Sequence, residues 1–427
     1  LFTARSGDLP LPSFINIKNN DGIRKTSIHI PFIGILNSVE SGTIKVLWST
    51  FQIVQSISFN LSVSFPQPYN DIVSWLSFFE LDFLSVECFK GGYLLSVLMA
   101  SAVPILLATA CWFIYIVRYF LNYDILFSSP HGIDSVKSKL WAQHVHASLL
   151  IIYVFVPPVS NKQFKALDCQ ELTDGKSYLR ADTSVDCNSN SYQNFVILDA
   201  ILISIFQCLP ILYIVLLFRV RDKLNPHAPT PELSLQKRDD DHTLHAIKFL
   251  FADYKCSLWY FEITDLYRRM IFVSVIPLIG TVNATKAYIG CALALVSTIY
   301  FRELTPYRVE FTNFLAVVAQ YVILLAFLAA LVIDSDSLAS FGLSNFVLGC
   351  ILGISNLLIV ALAMHLAWRR YIKTRKIEIA KQAEALKIEW AVEFSKNKFQ
   401  TTLDSVFERA VPTSHVLCYY YTSLAEA

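Results

Sequence analysis

Apolar residues in this chain run in long unbroken stretches, neither alternating as in a half-buried strand nor forming the one-sided stripe of a surface helix. A helix that crosses a membrane needs ~20 mostly apolar residues. Residues 93–117, 195–218, 311–333 and 344–368 each meet that length. A shorter run, 140–159, begins polar with Gln143, His144 and His146, ends at Pro157 and Pro158, and is read as a further span. Region 258–301 reads as two helices split at 280–286, where Thr281, Asn283, Thr285 and Lys286 suit a tight outer turn. The most diluted run is 44–64, which holds Lys45, Gln52, Gln55 and five serines and is still read as a span. The expected fold is therefore an all-α polytopic membrane protein of about eight transmembrane helices, with both ends of this chain cytoplasmic.

The positive-inside rule supplies a check that the apolar runs do not use. With both ends inside, 28 of the 35 Lys and Arg fall on cytoplasmic segments, 6 on outer ones, and Lys45 lies at a boundary. Removing any one helix would put the basic stretch 219–255 and the basic tail after Trp368 on opposite faces. Three regions follow: a cytoplasmic segment 1–43, a transmembrane domain 44–368 with an outer loop 160–193 and a cytoplasmic loop 219–257, and a cytoplasmic amphipathic helix and tail 369–427.

Composition agrees with a membrane setting: 54% of residues are apolar and 16% charged, against ~25% charged in an ordinary soluble domain. A net charge of +1 with no broadly basic domain argues against nucleic-acid binding, which rests on clustered cationic surface. Membrane lipids are the expected partners, and a homo-oligomer or larger membrane complex is open to such a chain. Leu1 stands where an initiator Met is expected, so the chain reads as a processed form or a piece of something longer. Residues 1–27 are polar and broken by Pro10 and Pro12, which does not read as a signal peptide. Cys111, Cys208, Cys291 and Cys350 fall in apolar helices as small buried residues. Cys169 and Cys187 flank a loop on the oxidising outer side, where a disulfide is expected, and Cys88 is left without a mate. The sequons beginning at Asn60 and Asn283 lie too close to the bilayer for glycans to be expected.

The segments between spans carry fewer signals. In 66–90, Glu80 and Asp82 sit among Trp75, Phe78, Phe79 and Phe83. They form either a cation-attracting outer vestibule or an interfacial helix whose acids face water. Loop 220–257, with three prolines and the balanced run QKRDDDH, reads as a flexible connector. Its continuation, ending LWYFEITDLYRRM, is amphipathic, with Asp265 able to pair with Arg268 at i+3 or Arg269 at i+4. That segment is a gating linker or an interfacial anchor with its arginines at the cytoplasmic rim. In the tail, Ile379, Ala383, Leu386, Trp390 and Phe394 recur at helical spacing.

No enzymatic constellation is present in the sequence: there is no phosphate loop, nucleophile elbow, H-E-x-x-H or C-x-x-C, and no cofactor is expected. His144 and His146, two apart, point to different helix faces and make a poor metal pair. The intramembrane polar residues are Asp199, Gln207 and Gln320, with Glu262 and Asp265 at a rim. Charge in a bilayer is costly, so Asp199, Asp265 and Gln320 are the candidates for a polar path, although Asp199 also reads as an interfacial hydrogen-bonded acid. Gly349 and Gly353 form a small-x-x-x-small pair suited to close helix packing.

Several segments taken together carry a resemblance: LWSTFQIVQSISF (48–59), WLSFFELDFLSVEC (75–88), the LDC and SVDC pair (167–169 and 184–187), LWYFEITDLYRRM (258–270) and TPYRVEFTNFLAVVAQ (305–320). They resemble the C-terminal membrane region of TRP-like (transient receptor potential-like) proteins of protists, algae and fungi, over residues 45–368. The resemblance implies a cation channel or channel-like sensor at the cell surface or in endomembranes. It also implies an upstream extracellular Cys-rich part with one further helix. Two other readings stand beside it: a non-conducting receptor or anchor for a missing outer domain, and a lipid-handling membrane protein with a polar groove between helices.

Overall fold

The computed structural model describes residues 39–75, 92–121, 133–171, 175–279, 282–338 and 342–424. Val39–Leu366 forms one compact unit, and the stretch from Ala367 onward belongs to a second. The first unit opens with α1 (Ser41–Asn60) and a short α2 (Tyr69–Trp75), followed by the long helices α3 (Gly92–Leu121) and α4 (Ile133–Lys165). Three short antiparallel strands come next, β1 (Cys169–Glu171), β2 (Ser177–Leu179) and β3 (Asp182–Asp186), in the order β1-β2-β3. Helix α5 (Asn190–Arg219) leads into the short α6 (Arg221–Leu224), α7 (Pro231–Asp240) and a nine-residue 3-10 run, His242–Leu250. The chain then enters α8 (Phe261–Met270), a π turn at Ile271–Val275 and a 3-10 turn at Ile276–Leu278. It closes with α9 (Asn283–Leu304), α10 (Glu310–Asp334) and α11 (Asn345–Leu424).

Among the described residues, six helical stretches are long and apolar enough to cross a membrane: Gly92–Leu121, Leu140–Lys165, Asn190–Arg219, Asn283–Leu304, Glu310–Asp334 and Asn345–Lys381. This is a predominantly helical integral membrane protein, with a small sheet outside the long helices. Helices α3 and α5 hold the bundle's outer positions. Phe113, Phe120 and Ile197 are each more than 60% exposed, as a lipid-facing surface requires. The two remaining runs expected to cross, 44–64 and the first half of 258–301, are not among the six, and the reason lies in their surroundings. Helix α1 is buried on most of its surface, so its polar side chains face protein groups that bond them. Thr50 donates to the Val46 carbonyl (2.7 Å) and Ser56 to that of Ile53 (2.8 Å).

The two ends of the first unit are defined by contacts between distant loops. At one end Ser41 donates to Asp253, the Lys255 amide to the Pro306 carbonyl (3.0 Å), and Arg308 reaches Asp239 (3.1 Å). At the other, Arg180 of the sheet pairs with Asp168 (3.1 Å), donates to the Phe59 carbonyl and lies over the Phe59 ring. There the Ser184 hydroxyl bonded to Asp182 holds that carboxyl below its ordinary value. Helix α1 runs from the first end to the second, about 30 Å at 1.5 Å per residue.

The segment after α8 shows how one proline shapes its neighbours. Pro277 has no N–H, so the carbonyls four and five residues earlier, Val273 and Phe272, lose the donor a regular helix would supply. The amide of Asn60, at the end of α1, donates to both at 3.2 Å. Asn60 is fully buried in doing so, which takes that sequon out of consideration for a glycan.

The loop expected to be a flexible connector is folded. Thr230 caps α7, accepting from the Leu233 amide (3.3 Å), and Pro231 occupies the first turn, where a missing N–H costs nothing. Arg238, 1% exposed, donates to the Tyr254 carbonyl (3.0 Å) and lies over Phe251.

In the second unit, α11 continues as one helix, with Ile379, Trp390 and Phe394 exposed and the last two rings stacked at 5.5 Å.

Cys169 and Cys187 form a disulfide across 18 residues. A loop of that length corresponds to about 3 kcal/mol of chain-entropy stabilisation. The double change Cys169→Ser with Cys187→Ser should therefore lower the thermal midpoint in detergent, and reductant should lower that of the parent to match. A midpoint indifferent to both would refute the bridge.

Gly349 and Gly353 are packing residues, but their partners are the loop and short helix after α1. A Cβ on Gly349 would stand 2.4 Å from the Gln67 carbonyl oxygen, and one on Gly353 would stand 2.9 Å from the tip of Ile72. Alanine gains ~1 kcal/mol of helix preference, whereas overpacking against fixed backbone costs ~1–3 kcal/mol. Gly349→Ala is expected to lower the midpoint and Gly353→Ala to lower it less, since an Ile terminus can rotate away. Scanning fluorimetry of the two variants measures the difference.

Candidate functional site

Helix α8 carries Glu262, Asp265, Arg268 and Arg269 within ten residues, and it is buried on nearly every side. The i+3 and i+4 pairs expected from sequence both form. Arg268 Nη2 lies 2.8 Å and Arg269 Nε 3.3 Å from the two oxygens of Asp265. The second is an electrostatic contact without hydrogen-bond alignment, since Arg269 Nε has no hydrogen-bond partner.

The rest of the site comes from other elements. Lys45 of α1 lies 2.6 Å from Glu262 and 2.9 Å from Asp253, and its ammonium also donates to the Phe249 carbonyl. Tyr254 donates to Glu262 at 2.9 Å, and Tyr153 of α4 contacts the other Glu262 oxygen while accepting from Arg269 at 2.6 Å. Arg268 donates to Gln320 of α10 at 2.9 Å and to Ser49 of α1 at 2.8 Å. Its guanidinium lies over the Phe301 ring at 5.2 Å. Three cations thus face three carboxylates, held by α1, α4, α8, α10 and the loop before α8.

Electrostatics explains why the partners are so many. An ion taken from water into a low-dielectric interior costs several kcal/mol after relaxation, recovered only with good geometry and further hydrogen bonds. Glu262 is 0% and Arg269 2% exposed, so bulk water does not help. Arg269 is buried and Arg268 half-buried, both packed against protein partners rather than left exposed.

The sequence candidates divide accordingly. Asp265 and Gln320 are brought together through Arg268. Asp199 belongs to a different place, nearly three turns into α5, fully buried, with no hydrogen-bond partner on either carboxylate oxygen. The hydrogen bonds that the sequence also allowed for this acid are not formed. Gln207 donates to Ser160 of α4 at 3.3 Å. His144 and His146 do diverge, their Nδ1 atoms meeting the carbonyls of Leu140 (2.8 Å) and Ala246 (3.2 Å). Glu80, Asp82 and Cys88 lie outside the described residues. Among the described residues no group of three or more His, Cys, Asp and Glu is arranged to hold a metal ion.

Sequence reasoning missed Lys45, Tyr153, Asp253 and Tyr254 as members of the site. The one available signal was a lysine inside an otherwise apolar run, which calls for a buried counter-charge.

Comparison with family models, with curated proteins and with solved structures finds no match.

Removing one member of a buried pair leaves the other uncompensated, at ~3–5 kcal/mol, whereas removing both relieves it. Lys45→Met and Glu262→Gln should each lower the thermal midpoint strongly. Their combination should fall well short of the summed loss, because contacting residues are not additive. Strict additivity in a double-mutant cycle would show that the two do not interact.

Proposed function

We propose that the protein is a multi-pass membrane channel or sensor of TRP-like type that passes or gates cations, with α8 and its π turn as the moving part. The observation that carries this reading is the α8 network itself, an ionic cluster closed inside a helix bundle. Ionisable groups at such depth are expensive, and they characteristically mark ion pathways and switches. A buried ion pair is a poor stabiliser compared with apolar residues of similar volume, so its presence favours a switching role over a purely structural one. The π turn follows α8 immediately, and π turns inside helices occur frequently at functional sites.

The same reading makes α1 and the segment 261–278 the two further crossings, for eight in all with both chain ends cytoplasmic. Support comes from their pairing: Lys45 meets Glu262, Ser49 meets Arg268, Gln52 meets Arg269 and Asn60 meets Phe272. The two therefore run parallel along the bundle, as first and fifth crossings should. Asp265 and Gln320, on facing helices joined by Arg268, are the lining groups of the path, and the compartment is the plasma membrane or an endomembrane. Lipids surround the protein, and assembly into a homo-oligomer or larger complex fits a conducting role.

Purified protein in liposomes should give a cation flux under voltage, stretch or calcium. Asp265→Asn, which frees Arg268 and Arg269 from their shared carboxylate, should change the open fraction at least several-fold while the protein remains monodisperse. Silence of the parent under all three stimuli would overturn the proposal.

A further inference from the structure

A cleft of about 990 Å³ opens beside the ionic network, at the end of the bundle where the folded loop 221–257 sits. Its walls come from the beginning of α1, from α4 at Gln143 and His146, and from the 3-10 run His242–Leu250 and the residues after it. It lies at the level where the membrane-crossing part of α4 begins, at Leu140.

The 3-10 geometry decides what the cleft displays. With three residues per turn, side chains at i, i+3 and i+6 eclipse one another and form a single row, which an α-helix would fan out. In this run those positions are His242, His245 and Lys248, and all three line the cleft. The two imidazoles meet edge to face with centroids 5.2 Å apart. His146 faces them from α4, its Nδ1 held by the Ala246 carbonyl and its ring edge-on to Phe249 at 5.3 Å. The wall contains one carboxylate, Asp253, which is already occupied by Lys45 and by the Ser41 hydroxyl, both at 2.9 Å. Left to donate to an occupant are Lys248, the rings of His242 and His245 and, from the facing wall, the Gln143 amide, while His146 gives its Nδ1 proton to the Ala246 carbonyl.

We infer that this cleft binds a phosphate-bearing anion, with His242, His245 and Lys248 as the row that holds it and His146 on the facing wall. Nitrogen donors converging from two walls match the oxygens of a phosphate ester, and charge-assisted bonds of that kind are the strong ones. The volume accommodates a phosphorylated sugar or inositol ring, within the usual range of small-molecule sites. The ligand is a soluble phosphate ester or the headgroup of a phosphorylated lipid, and both present the same chemistry to the row.

The test uses the whole chain in nanodiscs and reads binding without any ion current. One arm titrates soluble inositol trisphosphate into nanodiscs of neutral lipid. The other compares nanodiscs with and without a bisphosphorylated phosphatidylinositol. In at least one arm the thermal midpoint should rise, because a ligand of the folded state stabilises it by mass action. His242→Gln, His245→Gln and Lys248→Gln combined should weaken the affinity about tenfold or more, the equivalent of losing one charge-assisted bond. The combined variant should keep the parent's midpoint without ligand, since all three side chains are exposed. A response in the soluble arm assigns a free ester and one confined to the lipid arm assigns a headgroup, and either supports the site if the variant loses it. No response in both arms, or a response the variant retains in full, overturns it.

Discussion

Charge cannot be left alone in a low-dielectric interior, and this constraint organises the end of the bundle where α1 begins. Glu262 and Asp265 on one turn of α8 demand cations, and Arg268 and Arg269 on the next turn supply two of them. Each guanidinium has more donors than one carboxylate can use, so Ser49, Gln52, Gln320 and Tyr153 are drawn in. Lys45 adds a third cation at Glu262, and Asp253 in the loop before α8 balances it. The folded state of that loop and the polarity of α1 are thus consequences of one helix carrying four charges where water does not reach.

Satisfying those groups fixes an inner and an outer layer. Helix α1 and the segment 261–278 are shielded from lipid, so they can carry serine, glutamine and asparagine. Their neighbours α3 and α5 take the exposed positions and are nearly pure hydrocarbon on their outer faces. Backbone follows the same rule as side chains: the carbonyls freed by Pro277 are met by Asn60 from the inner helix beside them. A lipid-facing helix would have had no such donor available, because every backbone polar group in hydrocarbon must be satisfied internally.

This layering also explains what the sequence could reveal. Outer helices show as long apolar runs, so 93–117 and 195–218 were legible from hydropathy alone, and so was 311–333, an inner helix that happens to be almost wholly apolar. An inner helix such as 44–64 looks dilute because its polar residues answer protein partners. Local charge pairs on α8 could be read from i+3 and i+4 spacing. Lys45 with Glu262 could not, because 217 residues separate them and nothing local marks the match. The prolines of loop 220–257 suggested flexibility, whereas Thr230 followed by Pro231 is a helix start, and the charged run QKRDDDH ends α7 and opens the 3-10 run. Asp199 was legible as an expensive group, but its lack of a hydrogen-bond partner was not, because that depends on which helices pack around it. The row His242, His245 and Lys248 was invisible without knowing that this stretch is 3-10.

The balance of the network bears on how it can move. Three cations and three carboxylates leave no net charge, so the closed arrangement is stable against a uniform shift of the surrounding potential. Sliding α8 along α1 by part of a turn would separate Lys45 from Glu262 and Arg268 from Ser49 together, in a medium that penalises each separation by kcal/mol. Intermediate positions are therefore the costly ones, and rearranged pairing or entry of water is what would stabilise a second state. Packed interiors of this kind hold discrete arrangements rather than a continuum. The π turn next to α8 offers a change of helical register at Ile271–Val275 without disturbing the outer helices, and Asn60 is already bound to its carbonyls. The charged helix is inner, internally paired and followed by an irregular turn, so under the proposed function a cation that passes or triggers a change would meet Asp265 and Glu262.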